Sequence, residues 1–108
     1  MNLHGMFDCK VEVVMGKWSA GMKFGFTKSH NRKIKSVEDG SQAHSAGFDN
    51  YIGSKIVAVN GRLVATNSQY QAVFDSVSSG SDVTFTIQVQ IDWNLIWKYV
   101  LMNIFWYV

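Results

Sequence analysis

A chain of 108 residues is long enough for one domain with a single core and too short for two. With 47% apolar and 14% aromatic residues it can bury enough surface to offset the entropy of folding, which argues against a disordered chain. A formal net charge of +2 falls far short of the basic face that a nucleic-acid backbone demands, and one cysteine, Cys9, excludes an intramolecular disulfide and a cysteine-based zinc site.

The lone cysteine points to a reducing, cytoplasmic setting. Residues 1–5 have neither a positively charged start nor a long apolar run; they read as a short N-terminal extension, with no signal peptide expected. Proline is absent, which removes proline-rich recognition segments and rigid linkers.

Phe7, Cys9, Val11 and Val13 alternate with Asp8, Lys10 and Glu12, the period-two pattern of a first strand with one buried face. From Gly16 to Gly25 a glycine-punctuated loop leads to a second strand at Phe24 and Phe26, and a turn around Ser29 to Arg32 leads to a third at Ile34 and Val37. Ser41 to Phe48 reads as a short helix or turn ending at Gly47. Ile56 to Val59 is an apolar run too short for a helix and reads as a buried strand closed by an Asn60-Gly61 turn. Ser68 followed by Gln71 matches a capping box, Tyr70, Val73, Phe74 and Val77 repeat at helical spacing, and Gly80 stands where a helix C-terminal glycine belongs. The pattern predicts a main helix over 69–79. Val83, Phe85, Ile87 and Val89 alternate with polar residues as a last strand. The tail 91–108 holds three of the four tryptophans and only Asp92 and Lys98 as charges.

This order of elements resembles the PDZ family on three local matches. Lys23-Phe24-Gly25-Phe26 is similar to the family's carboxylate-binding loop. Gly40 to Phe48, followed by Gly53 to Gly61 with its Val59-Asn60-Gly61 turn, is similar to the middle block. The third match is the spacing from that turn to the capped helix and last strand. The resemblance covers about residues 6 to 90 and implies an α+β fold: a PDZ-like, five- to six-stranded, mostly antiparallel, partly open β-sandwich or barrel capped by one short and one long helix. Ser54 stands where the family usually has an aspartate, and Asp49 to Ile52 look like a small insertion. Gln69 opens the long helix where modules that prefer Ser or Thr two residues from the ligand's end commonly have histidine.

The resemblance implies an adaptor that recognises the free C-terminus of a partner protein. A tight glycine turn can aim successive N–H groups at one carboxylate, and the amides of Phe24, Gly25 and Phe26 are the candidates. A side chain at Gly25 would obstruct the ligand's approach, and Phe24 and Phe26 line the pocket for its last side chain or serve as core beside a loop. The peptide body would add as a strand along Phe26 to Ser29, which brings in Thr27 and Lys28. On the opposite wall Gln69, Val73 and Ser76 share one helix face at i, i+4 and i+7. Val73 serves the groove or the core; Gln69 hydrogen-bonds a ligand side chain or is simply solvated. Lys17 or Lys23 is an ordinary exposed lysine or adds charge near the carboxylate.

Lys28, Arg32, Lys33 and Lys35, with His30 among them, form a basic cluster that is either a solvated hairpin or a contact for acidic ligand residues or anionic lipid. His4, His30 and His44 share no metal-ligand spacing, Cys9 sits at a core-facing strand position, and no serine lies in a nucleophile elbow; neither cofactor nor catalysis is expected. Two other readings use the tail. It attaches the chain to a membrane surface together with the basic cluster, or, ending Ile104-Phe105-Trp106-Tyr107-Val108, it occupies a PDZ-type groove of its own or of a second copy.

Overall fold

The computed structural model describes residues 6–19 and 23–92. The N-terminal extension with His4, and everything expected of the tail beyond Asp92, lie outside the described residues.

Alternation builds β1 (Met6–Lys17), which runs four residues past the predicted pattern. It pairs antiparallel with β6 (Asp82–Asp92) from Met6 opposite Asp92 to Lys17 opposite Asp82. The register slips between Val14 and Gly16. Gly16, at φ +103°, supplies the backbone freedom of that bulge and so belongs to the strand, where the sequence pattern placed it in a loop. Around the slip Val13 and Met15 are buried while Val14 is 64% exposed.

β2 (Phe26–Lys28) and β3 (Ile34–Val37) form a two-stranded sheet. β4 (Lys55–Val59) and β5 (Arg62–Leu63) complete a four-stranded sheet in the order β1-β6-β4-β5. The turn between β4 and β5 carries positive φ at both Asn60 and Gly61, the backbone that an Asn-Gly hairpin requires. A bridge between Lys33 and Lys55, with Ile34 N–H to the Ser54 carbonyl at 2.9 Å, joins the two sheets at one corner. Every strand pairing among the described residues is antiparallel. The described residues form a small α+β domain of six strands and two helices with open sheets.

The helix α1 (Gln42–Ser45) starts at Ser41, whose hydroxyl accepts from the His44 N–H, and a 3-10 turn follows at Phe48–Tyr51. The longer helix α2 (Asn67–Ser76) begins two residues earlier and ends three residues earlier than its sequence pattern suggests. Thr66, not Ser68, is the cap: its hydroxyl accepts from the Gln69 N–H at 3.1 Å, and the Gln69 side chain accepts in return from the Ala65 N–H at 2.7 Å. Both serine/threonine–glutamine pairs satisfy the motif, and Tyr70, Val73 and Phe74 repeat identically under either. Gly80 closes a later turn, donating to the Trp18 carbonyl at 2.7 Å.

The core gathers around Phe85 on β6, whose ring lies 5.2–6.0 Å from those of Phe24, Phe26, Phe48 and Phe74. Phe48 and Phe85 are both fully buried. Phe85→Ala removes the ring that all four others share and is expected to cost about 3–5 kcal/mol of folding stability, measured by urea unfolding. A loss below about 1 kcal/mol would show that the cluster repacks around the gap.

Candidate functional site

One face of β2 looks across a cavity of about 630 Å³ toward α2. Its floor is apolar: Phe24, Phe26 and Phe74 line it, and all three rings touch the Phe85 cluster. Trp18 closes one side, with its ring 6.3 Å from Phe74. Backbone bonds to the loop after α2 fix its position, Trp18 N–H to the Ser81 carbonyl at 2.9 Å and Gly80 N–H back to Trp18.

In the loop from Lys23 to Phe26 the carbonyls of Phe24 and Gly25 turn inward. Ala43 N–H bonds the Phe24 carbonyl at 2.9 Å and Glu38 N–H bonds the Gly25 carbonyl at 2.7 Å. Among the described residues no acceptor meets the N–H groups of Phe24 and Gly25. The bond from Glu38 to Gly25 makes Phe26 opposite Val37 a non-hydrogen-bonded pair, so the N–H and carbonyl of Phe26 point away from β3 to the free edge of β2. Three successive amides thus remain as donors at the start of an open strand edge.

Gly25 is required for a reason beyond ligand approach. Its φ is +93°, and a Cβ there would overlap the Ser41 side chain at the start of α1. Ser41 cannot retreat cheaply, because its hydroxyl donates to the Glu38 carbonyl at 2.6 Å and caps α1.

The residues expected at the site divide into two groups. Lys23, Phe24, Gly25, Phe26, Thr27 and Lys28 all line the cavity. Gln69, Val73 and Ser76 do not. Gln69 is held in the helix cap, Val73 is buried in the core, and the Ser76 hydroxyl accepts from Arg62 at 3.0 Å while donating to the Val73 carbonyl. The wall is formed instead by Tyr70, Gln71 and Phe74. Each helical residue turns about 100°, so a displacement of one position exchanges the wall for its neighbouring face. Tyr70 and Phe74 at i, i+4 carry the signal that finds this wall. Both belong to the apolar stripe of the helix, buried in the core while also lining the cavity. Trp18 had no comparable signal. Lys17 is not at the cavity; its ammonium lies 3.5 Å from the Gly80 carbonyl.

The basic cluster also separates. Lys33 and Lys35 are exposed, whereas Lys28 is half-buried and Arg32 is only 6% exposed, at φ +61° with its Nε unpartnered. Lys28 shares a strand face with Phe26, so its stem runs over the cavity. Its ammonium donates to Asn67 Oδ1 at 3.0 Å and sits 4.6 Å from the centre of the Tyr70 ring. Asn67 Nδ2 lies 3.2 Å from His30 Nδ1. Desolvation and the nearby Arg32 charge hold the Lys28 pKa below its ordinary value, and burial pushes the Tyr70 hydroxyl well above its own.

The chain matches no protein-family model and no curated protein. Among the described residues no three His, Cys, Asp or Glu side chains are grouped to hold a metal ion, and no helix is long and apolar enough to cross a membrane. Cys9 is free and half-buried.

Gly25→Val is expected to cost at least about 2 kcal/mol of folding stability, because it combines a left-handed backbone with the Ser41 overlap. The urea midpoint reads this directly. An unchanged midpoint would mean that the loop opens without strain, leaving Gly25 to act on ligand approach alone.

Proposed function

We propose that the chain is a PDZ-like peptide-binding module, an adaptor without catalytic activity that captures the free C-terminus of a partner protein, working in the cytoplasm. The observation that carries this reading is a coincidence in space. The amides of Phe24, Gly25 and Phe26, which meet no acceptor among the described residues, stand at the start of an open strand edge that borders an apolar cavity. A carboxylate leaving water needs several donors of fixed geometry, and an extended peptide needs a free edge. A C-terminal peptide presents both needs about one residue apart.

In this reading the terminal carboxylate is received by the loop amides, with Lys23 adding positive charge beside them. The ligand's last side chain enters between Phe24, Phe26 and Phe74, and its backbone pairs with β2. The order of strand, glycine loop, hairpin, short helix, strand, long helix and last strand agrees with the family resemblance, although the helix wall is read at Tyr70 and Phe74 in place of Gln69 and Val73.

Amidating the C-terminus of a binding peptide removes the charge while preserving its side chains. Affinity is expected to fall by about tenfold to a hundredfold, as when charge-assisted hydrogen bonds are lost, measured by isothermal titration with matched acid and amide peptides. Equal affinities would remove the loop from the mechanism.

A further inference from the structure

We propose that the groove selects ligands with a carboxylate side chain two or three residues before their C-terminal residue, received by the Lys28 ammonium where β2 ends against the start of α2. The inference rests on the C-terminal peptide reading above and assigns the chemistry of its upstream end.

The position follows from strand geometry. Lys28 lies two residues beyond Phe26, and an antiparallel ligand whose last residue sits at the loop rises about 3.3 Å per residue along β2. Its third- or fourth-last residue then comes level with Lys28, and a side chain pointing toward α2 meets the ammonium above the Tyr70 ring.

The charge of the ligand group follows from what Lys28 lacks. Its hydrogen-bond partner is a neutral amide oxygen, that of Asn67. Arg32 in the following turn is a buried guanidinium with an orphaned Nε, and its charge adds to the lowering of the Lys28 pKa. Among the described residues the one ion pair is His44 with Asp49, so neither cation has a carboxylate beside it. Glu38 also lines the cavity, but its N–H bond to Gly25 places it at the loop end, alongside Lys23. The strand end of the groove therefore combines the partly desolvated Lys28 ammonium with no anion. A buried tyrosine hydroxyl in the same cavity remains protonated and able to donate. A neutral or cationic ligand side chain leaves that charge uncompensated; a carboxylate meets it.

The test uses synthetic heptapeptides ending in valine that differ only in having Asp, Asn or Lys two or three residues before the end. With the full chain the Asp peptide is expected to bind about fivefold tighter than the Asn peptide and at least tenfold tighter than the Lys peptide, with the advantage shrinking as salt is raised. Lys28→Met keeps the aliphatic stem over Tyr70. It should erase the Asp–Asn difference, leaving the Asp and Asn peptides bound with equal, measurable affinity. Equal binding of Asp and Asn peptides by the native chain, or an Asp advantage that survives Lys28→Met, overturns the inference. An amidated Asp peptide that binds as tightly as its acid sinks the C-terminal reading alone, with the Asp–Asn comparison still deciding the charge preference. Failure of every acid peptide to bind overturns both.

Discussion

The fold and its groove share one physical element, the Phe85 ring. From β6 it meets Phe24 and Phe26 of the loop and strand that border the cavity, Phe74 of the facing helix, and Phe48 of the 3-10 turn. Its contacts with Phe24, Phe26 and Phe48 are close to edge-on, the arrangement that aromatic quadrupoles favour. Each such pair contributes about 0.5–1.5 kcal/mol beyond its buried area, so the cluster is comparable to a sizeable fraction of a small domain's net stability. The cavity floor is therefore the outer surface of the core. A side chain that shapes the cavity at Phe24, Phe26 or Phe74 also packs in the core between β2 and α2, so on the proposed reading stability and recognition are coupled there.

That coupling explains which features were legible in the sequence. The longer strands were, because a face buried against Phe85 enforces strict alternation: Val83, Phe85 and Ile87 are fully buried while Thr84 and Thr86 are only partly so; the two-residue β5 was not. The Asn60-Gly61 turn was legible because few residue pairs accept two positive φ values. The loop residues Lys23 to Phe26, singled out by their glycine-centred pattern, line the cavity. The helix wall was not. An apolar stripe shows that a helix has a buried face but not which of its residues also border a cavity; on α2 Tyr70, Val73 and Phe74 are all buried, and only Tyr70 and Phe74 of the three line this one. The helix start was misplaced for a related reason: two overlapping capping pairs are chemically equivalent until tertiary packing selects one. Gly16 is a bulge in β1, a feature that local composition does not separate from a loop.

Charge follows a different logic from net composition. A formal +2 conceals a buried arginine and a half-buried lysine in and beside the β2–β3 turn. Burying cations without anions costs free energy. Part of the cost at Lys28 is offset locally by the Asn67 oxygen and the face of the Tyr70 ring. The same contacts tie β2 to the first turn of α2, so the charge that marks the strand end of the groove also sets its width there.

The edge of β2 carries the last constraint. An unpaired strand edge invites uncontrolled pairing, and short length with a lysine near its end are two common defences. β2 has both: it is three residues long and finishes on Lys28. The register slip between Thr27 and Lys28 bends its pairing with β3 at the same point, which shortens the flat stretch further. An edge this brief can pair with only the last few residues of an added peptide. Backbone pairing alone then supplies few hydrogen bonds, each with a net contribution of about 0.5–1.5 kcal/mol. On the proposed reading the balance of affinity must come from the two ends of the edge, the carboxylate at the amides of Phe24 to Phe26 and the side chain that reaches Lys28. An edge short enough to resist aggregation is for that reason one whose ligand must be selected by its end groups and not by its length.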